Sequence, residues 1–372
     1  MIRNVQALRA FAALWVAWYH TLQPVMTRAY GLEVSGSPLW RGAAEIGWIG
    51  VDVFFVISGF IMACCTRETA GGRAEACDFL WKRVKRVVPL YWLLTSVVVA
   101  LALALPHFFN SYRFELVHAV KSYLFLPAAR PDGTALPPLV PGWTLNYEMY
   151  FYFVFGLMLW AGAHRSLKAF VLVFAGSVAL GQFLQWRSPW PTSSLAFLVT
   201  SPLLLEFFAG VVVARAVHRL RIPAWIAVAM LLCGVLLLRY WFMDIPRDEQ
   251  APRHVIELYR VLVLGVPAVL VVAGAVLLEA RWTFPRPLLV LGDASYSIYL
   301  THFFVPGLCA KVLVWAGLAH VDANLYVGFC LMLILAVGLV FYRYVETPML
   351  RAWKRGAPDR ASRQAVPRPL TP

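Results

Sequence analysis

The chain has 372 residues, of which 61% are hydrophobic and 14% charged. A soluble domain runs at roughly 45–50% apolar even with glycine counted, so no soluble core of this length hides that much apolar surface, and a disordered chain is richer in charge. The net charge of +14 would point to nucleic acid in a soluble protein, but in a polytopic membrane protein it reflects basic cytoplasmic loops, and no nucleic-acid partner is expected.

Apolar runs bounded by charges or prolines fall at 5–25, 46–65, 87–105, 142–160, 168–186, 195–213, 222–242, 258–278, 290–315 and 324–342. Each is long enough to cross a bilayer at about 1.5 Å per residue. The expected fold is therefore all-α, a membrane helix bundle of about ten transmembrane helices. The first run follows a short basic stretch as a signal peptide would, yet it carries Arg9, Trp15, Trp18 and His20 and shows no small-residue cleavage site. It is expected to be a retained helix.

The loops alternate in Lys/Arg content. One set holds Lys82, Arg83, Lys85 and Arg86, then Arg165 and Lys168, then Arg215, Arg219 and Arg221, and finally the C-terminal arginines. The other set is poorer, with residues such as Arg28, Arg41, Arg113 and Arg247. This bias places both termini in the cytoplasm. The longest connection, 106–141, lies outside, and its stretch 114–126 is too short to span and is expected at the interface or re-entrant. Two units result: a transmembrane domain, 1–352, and a basic, disordered, lipid-facing cytoplasmic tail, 353–372. The cysteines Cys64, Cys65, Cys77, Cys233, Cys309 and Cys330 show no metal-ligand spacing, so neither a disulfide framework nor a metal site is expected.

Ionisable groups at membrane depth are costly unless paired or hydrated, so each is a functional candidate. Arg9 and His20 are eleven residues apart on the first helix, about 1100° of rotation, or three turns plus roughly 20°. They share one flank, roughly 16 Å apart along the axis. His20, Asp52 and Glu148 all fall roughly 8–9 Å below the outer boundary, so one imidazole and two carboxylates can meet at one level. A histidine there can take and return a proton, and a carboxylate can fix its tautomer. His302 lies somewhat deeper. Glu206 reads as a structural partner. Arg83 and Arg86, three apart, share a face; they serve either as topogenic charges or, with Arg9, as a clamp for a polyphosphate. Trp143, Tyr147 and Tyr150 are aromatic residues at a helix end, where interface anchors are common. Ser58 and Gly59 are small enough for close helix approach.

These residues, in this order, resemble the acyltransferase-3 family of integral membrane acyltransferases. The resemblance lies in Gln6–Ala13 (QALRAFAA) with Tyr19 and His20, in Gly50–Phe60 (GVDVFFVISGF), and in Arg83, Arg86 and Pro89–Trp92 (PLYW). It continues in Gly142–Phe151 (GWTLNYEMYF), Glu206–Gly210 (EFFAG), Leu291–His302 (LGDASYSIYLTH) and Val345–Pro348 (VETP). The ordered set covers nearly the whole chain and is closest in flavour to the bacterial exopolysaccharide acetyltransferase branch. Thr144 stands where the family usually has serine, a mild departure that keeps the hydroxyl.

The resemblance implies O-acetylation of a glycan in the bacterial inner membrane, with acetyl-CoA as donor. The family's Arg/His pair maps onto Arg9 and His20, and its second arginine motif onto Arg83 and Arg86. An extracytoplasmic hydrolase-like domain, present in some relatives, is not expected. On this reading Arg9, Arg83 and Arg86 hold the CoA phosphates and His20 acts as general base or forms an acetyl-histidine. Asp52 or Glu148 orients His20, and Trp143, Tyr147 and His302 face the acceptor. Expected partners are acetyl-CoA, a glycan, the bilayer and polysaccharide synthesis machinery. The competing reading is a secondary transporter or lipid-linked glycan flippase, which would also bury charge at the midplane. It predicts two similar halves, which the sequence does not show.

Overall fold

The computed structural model describes residues 2–27, 31–36, 46–106, 112–131, 133–219, 222–241 and 252–355. The basic positions Arg28, Arg41, Arg221 and Arg247, and the tail from 356 onward, lie outside the described residues.

Helix forms over each of the ten expected runs. The helices are α1 (Arg3–Thr27), α2 (Ile49–Cys65), α3 (Arg73–Ala104), α4 (Leu116–Tyr123), α5 (Gly142–Trp160) and α6 (Leu167–Arg187). They continue with α7 (Leu195–Val199), α8 (Leu204–Arg219), α9 (Ala224–Trp241), α10 (Arg253–Leu278) and α11 (Arg286–Asp293). The last are α12 (Ser295–Thr301), α13 (Phe304–Trp315), α14 (Ala323–Phe341) and α15 (Thr347–Arg355). Among the described residues, 5 helices are long and apolar enough to cross a membrane, or 6 if the bent pair α12–α13 is one span. The chain is thus a multi-pass helical membrane protein. Two helices of sufficient length, α1 and α5, fall short on apolarity because they carry Gln6, Arg9, His20 and Gln23, or Asn146 and Glu148. The polar cost is concentrated where the site lies.

Several elements depart from expectation. The third helix starts at Arg73, not near 87, so Lys82–Arg86 stand on a helix rather than in a loop. No breaker interrupts that stretch, and a 32-residue helix projects past a bilayer core of about 30 Å. The expected continuous helix over 290–315 is broken, with a 44° bend between α12 and α13. Pro306 has no N–H to give the His302 carbonyl, and Val305 N–H takes that carbonyl instead at 3.2 Å, tightening the turn. A short parallel pairing of Glu33–Ser35 (β1) with His320–Asp322 (β2) was not expected. It ties the connection after α1 to the one before α14. Helix α15 runs through Arg355, beyond the anticipated boundary at 353.

Two close contacts set the bundle. A Cβ on Gly59 of α2 would lie 1.8 Å from the Phe207 carbonyl oxygen of α8, and one on Gly210 would lie 2.0 Å from the Val56 oxygen. Small residues let these backbones touch, as membrane helices require when lipid is as apolar as their side chains. Around this crossing, Phe207 stacks on Phe55 and Phe151 at 4.4 and 4.6 Å between ring centroids. The start of α1 is fixed by Glu279, whose carboxylate accepts the Arg3 and Asn4 backbone N–H groups at 2.7 and 2.7 Å. An anion at a helix N-terminus satisfies orphan donors and the dipole together. The short helix α4 docks on α3: Tyr91 and Ser122 hydroxyls meet at 2.7 Å, while Leu116, Val117 and Val120 stay exposed.

Candidate active site

Two cavities share the bundle interior, and both border Val51 and Tyr299. The first, about 100 Å³, lies at the end of the bundle where α1 begins. Arg9 enters it from α1, Arg83 and Arg86 from α3, Ser58 from α2, Glu148 and Tyr152 from α5, and Tyr296 from α12. The three-residue spacing of Arg83 and Arg86 does put both on one wall. Arg83 lies against the rings of Phe79 and Tyr152, at 5.6 and 6.0 Å from their centroids. Its Nε is buried with no hydrogen-bond partner among the described residues. Arg86 faces Glu346 at 3.8 Å, and Ser297 donates to the other oxygen of that carboxylate at 2.6 Å. Among the described residues Arg9 makes a long hydrogen bond to Gln6, at 3.5 Å, while Gln6 donates to Asp293. Three guanidinium groups and the Glu148 carboxylate thus line one pocket.

The second cavity, about 540 Å³, is lined by Tyr19, His20, Gln23, Trp48, Arg130, Thr134, Trp143, His302 and Phe303. His20, half-buried, packs ring to ring against His302, with centroids 5.1 Å apart. His302 Nδ1 lies 2.6 Å from the Tyr299 carbonyl oxygen. A carbonyl only accepts, so Nδ1 carries the proton and Nε2 carries the lone pair. Between the cavities, the Tyr299 hydroxyl bonds Thr144 Oγ1 at 2.9 Å. The departure at position 144 therefore preserves a working hydroxyl.

The two carboxylates expected beside His20 are placed elsewhere. Asp52 binds Arg260 of α10 with both oxygens, at 3.2 and 2.9 Å, and both residues are buried. A buried guanidinium left without a carboxylate would be far costlier than an unpaired imidazole, so Arg260 claims Asp52. Its flat face lies 5.5 Å from the Trp48 ring and 5.7 Å from the Trp143 ring. Glu148 lies in the arginine pocket, where Ser58 donates to it at 2.9 Å and Tyr152 donates as well. Ser58 is thus a hydrogen-bond donor, and of the two neighbours it is Gly59 that allows close helix approach. Tyr147 is buried beneath the chamber and donates to Glu257 at 3.4 Å, with Ser201 donating to the same carboxylate at 2.6 Å. Trp143 and His302 do line the chamber, whereas Tyr150 packs against the aromatic core and Glu206 is buried beside Gly265. Arg260, Glu257, Tyr299 and Glu346 were not singled out from sequence. Arg260 had a usable signal, being a charge inside an apolar run, and Tyr299 lies in the block that ends at His302.

Among the described residues no three His, Cys, Asp or Glu side chains gather as metal ligands. An arginine-lined pocket and an imidazole chamber that share Val51 and Tyr299 in their walls thus lie inside one helical bundle. Residues 2–343 match the acyltransferase domain family of the acyltransferase-3 type. The chain belongs to that family and is an enzyme that transfers acyl groups other than amino-acyl groups. It is 35% identical over 314 residues to the exopolysaccharide production protein ExoZ of Rhizobium meliloti (strain 1021), covering 82% of this chain and 90% of that protein. It is 23% identical over 368 residues to the O-acetyltransferase OatA of Staphylococcus aureus, covering 93% of this chain but 57% of that one. A putative acetyltransferase, ORF330 of Acidianus two-tailed virus, is 24% identical over 319 residues, covering 85% and 87%. No solved structure matches the chain. Membership decides for an enzyme over the transporter reading.

Proposed function

We propose that this enzyme moves an acetyl group from acetyl-CoA to a hydroxyl of an exported polysaccharide or its lipid-linked precursor in a bacterial inner membrane. The bundle crosses ten times with both termini cytoplasmic, so the arginine pocket opens toward the cytosolic donor. Arg9, Arg83 and Arg86 hold the donor's phosphates, and the unpartnered Arg83 Nε supports that reading. The pantetheine arm passes Tyr299 and presents the thioester at His20. The chamber beyond, with Trp48 and Trp143 in its wall, receives the sugar. The names of the relatives above, one in exopolysaccharide production and one an O-acetyltransferase, support a glycan acceptor and an acetyl group.

His20 is the general base. It takes the proton of the sugar hydroxyl as that oxygen attacks the thioester carbonyl, then returns it to the departing thiolate. Glu148 holds Ser58 and Tyr152 along the donor's path. Asp52 acts at one remove, by fixing Arg260 behind the two tryptophans. The observation that carries this reading is that Arg9 and His20, on one flank of α1, line two cavities that share Tyr299 and Val51 in their walls. The test uses purified protein in detergent, radiolabelled acetyl-CoA and the isolated glycan. His20→Ala is expected to abolish transfer with normal expression, and Arg9→Ala to weaken donor binding more than acceptor binding. Wild-type transfer by His20→Ala would overturn the assignment.

A further inference from the structure

With Asp52 held by Arg260 and Glu148 in the arginine pocket, no carboxylate stands beside His20 among the residues lining its chamber. A histidine base nevertheless needs a partner on its second nitrogen to fix its tautomer and ring orientation. The group facing it is a second imidazole. His302 is fully buried, and its Nδ1–H is committed to the Tyr299 carbonyl at 2.6 Å. Its Nε2 is buried, is necessarily the acceptor, and has no partner among the described residues. A buried acceptor left unmade costs on the order of 1–3 kcal/mol. The helix break at His302–Phe303 brings this ring to 5.1 Å from that of His20.

We propose that His302 is the positioning residue of the transfer: its Nε2 accepts the N–H of His20 and so presents the other His20 nitrogen, unprotonated, to the acceptor hydroxyl. The proposal rests on His20 being the base. Catalytic hydrogen bonds often close only when substrate fills the site, and here substrate entering the chamber presses His20 toward His302. The step balances without further reactants. The hydroxyl proton passes to the free His20 nitrogen as its oxygen bonds to the thioester carbonyl carbon. The carbon–sulfur bond breaks, and the thiolate takes the proton back from His20. His302 stays neutral throughout, its second nitrogen held by the backbone. A neutral partner orients the base without the strong stabilisation of imidazolium that a buried carboxylate would bring.

The alternative is that His302 merely caps the broken helix through Nδ1. Two variants separate the roles. His302→Asn can keep a donor toward the Tyr299 carbonyl but leaves nothing where Nε2 stands. His302→Gln reaches the Nε2 position with a carbonyl acceptor. In the purified full-length protein, His302→Asn is expected to lower kcat by about 10²-fold or more, with the KM for acetyl-CoA unchanged. His302→Gln is expected to stay within about tenfold of wild type. Equal kcat in the two variants, at any level, overturns the proposal, even where His20→Ala remains inactive and the base assignment stands. Should neither variant accumulate as folded protein, ¹⁵N-histidine NMR of wild type and His20→Ala with bound glycan decides. Loss of a hydrogen-bonded acceptor nitrogen signal on His20→Ala supports the pairing, and an unchanged acceptor signal overturns it.

Discussion

The arginine pocket and the histidine chamber lie in one bundle and solve opposite problems. The pocket is small, about 100 Å³, and its walls bring three guanidinium groups against aromatic rings. The chamber is wider, about 540 Å³, and its wall is made of imidazole, indole, phenol and amide, with Arg130 tied to the Leu136 carbonyl at 2.9 Å. On the proposed reading, fixed charge holds a carrier that is anionic at one end. With Arg130 the one charged group among the described lining residues and its guanidinium bonded to backbone carbonyls, such a lining suits a base that must gain and lose a proton. On that reading the difference teaches that binding and chemistry are separated along α1, with Tyr299 and Val51 bordering both cavities.

The comparison breaks most sharply at His20. His20→Ala should cost about 10²–10⁴-fold in transfer while leaving equilibrium acetyl-CoA binding intact, measured by filtration on purified protein. A parallel loss of donor binding would merge the two regions. The next largest effect is on stability. Asp52→Asn takes from buried Arg260 the carboxylate that binds it directly, and breaking a buried pair costs about 3–5 kcal/mol, read as a lower melting temperature in detergent. The paired change Asp52→Leu with Arg260→Met should recover most of that loss. If Asp52→Asn instead melted like wild type and only lost activity, Asp52 would serve His20 after all.

Smaller effects sharpen the division. Arg83→Ala should raise the KM for acetyl-CoA about tenfold to a hundredfold, the loss of charge-assisted hydrogen bonds, with the acceptor KM unmoved. Added salt should weaken the donor interaction and spare the acceptor. Tyr299→Phe removes the hydroxyl that bonds Thr144 at 2.9 Å and reaches the Pro141 carbonyl at 3.4 Å, each neutral bond worth about 0.5–1.5 kcal/mol. It should change both KM values a few-fold, since Tyr299 borders both cavities; a change confined to one substrate would place Tyr299 in that substrate's region.

What could be read from sequence follows from what a helical period encodes. Eleven residues at about 100° each place Arg9 and His20 on one flank, and the structure opens both into the interior. The same geometry holds for Arg83 and Arg86. Depth arithmetic also set Asp52 and Glu148 near the level of His20, but depth leaves the azimuth against neighbouring helices open. Asp52 turns toward α10 because Arg260 must be neutralised there, a demand arising some 200 positions along the chain. The break at His302 depends on Pro306 and on a side chain bonding its own helix, so hydrophobicity across 290–315 reads straight through it. The β1–β2 pairing is three residues on each strand, too short for any alternation to register.

The most direct measurement is a cryo-EM structure of the full-length protein with a non-transferable thioether analogue of acetyl-CoA. The predicted result is density with the phosphates against Arg9, Arg83 and Arg86, the arm beside Tyr299, and the acetyl group within reach of His20. A nucleotide bound in the histidine chamber, or an acetyl group that ends in the arginine pocket with Tyr299 closed above it, would contradict a single path joining the two.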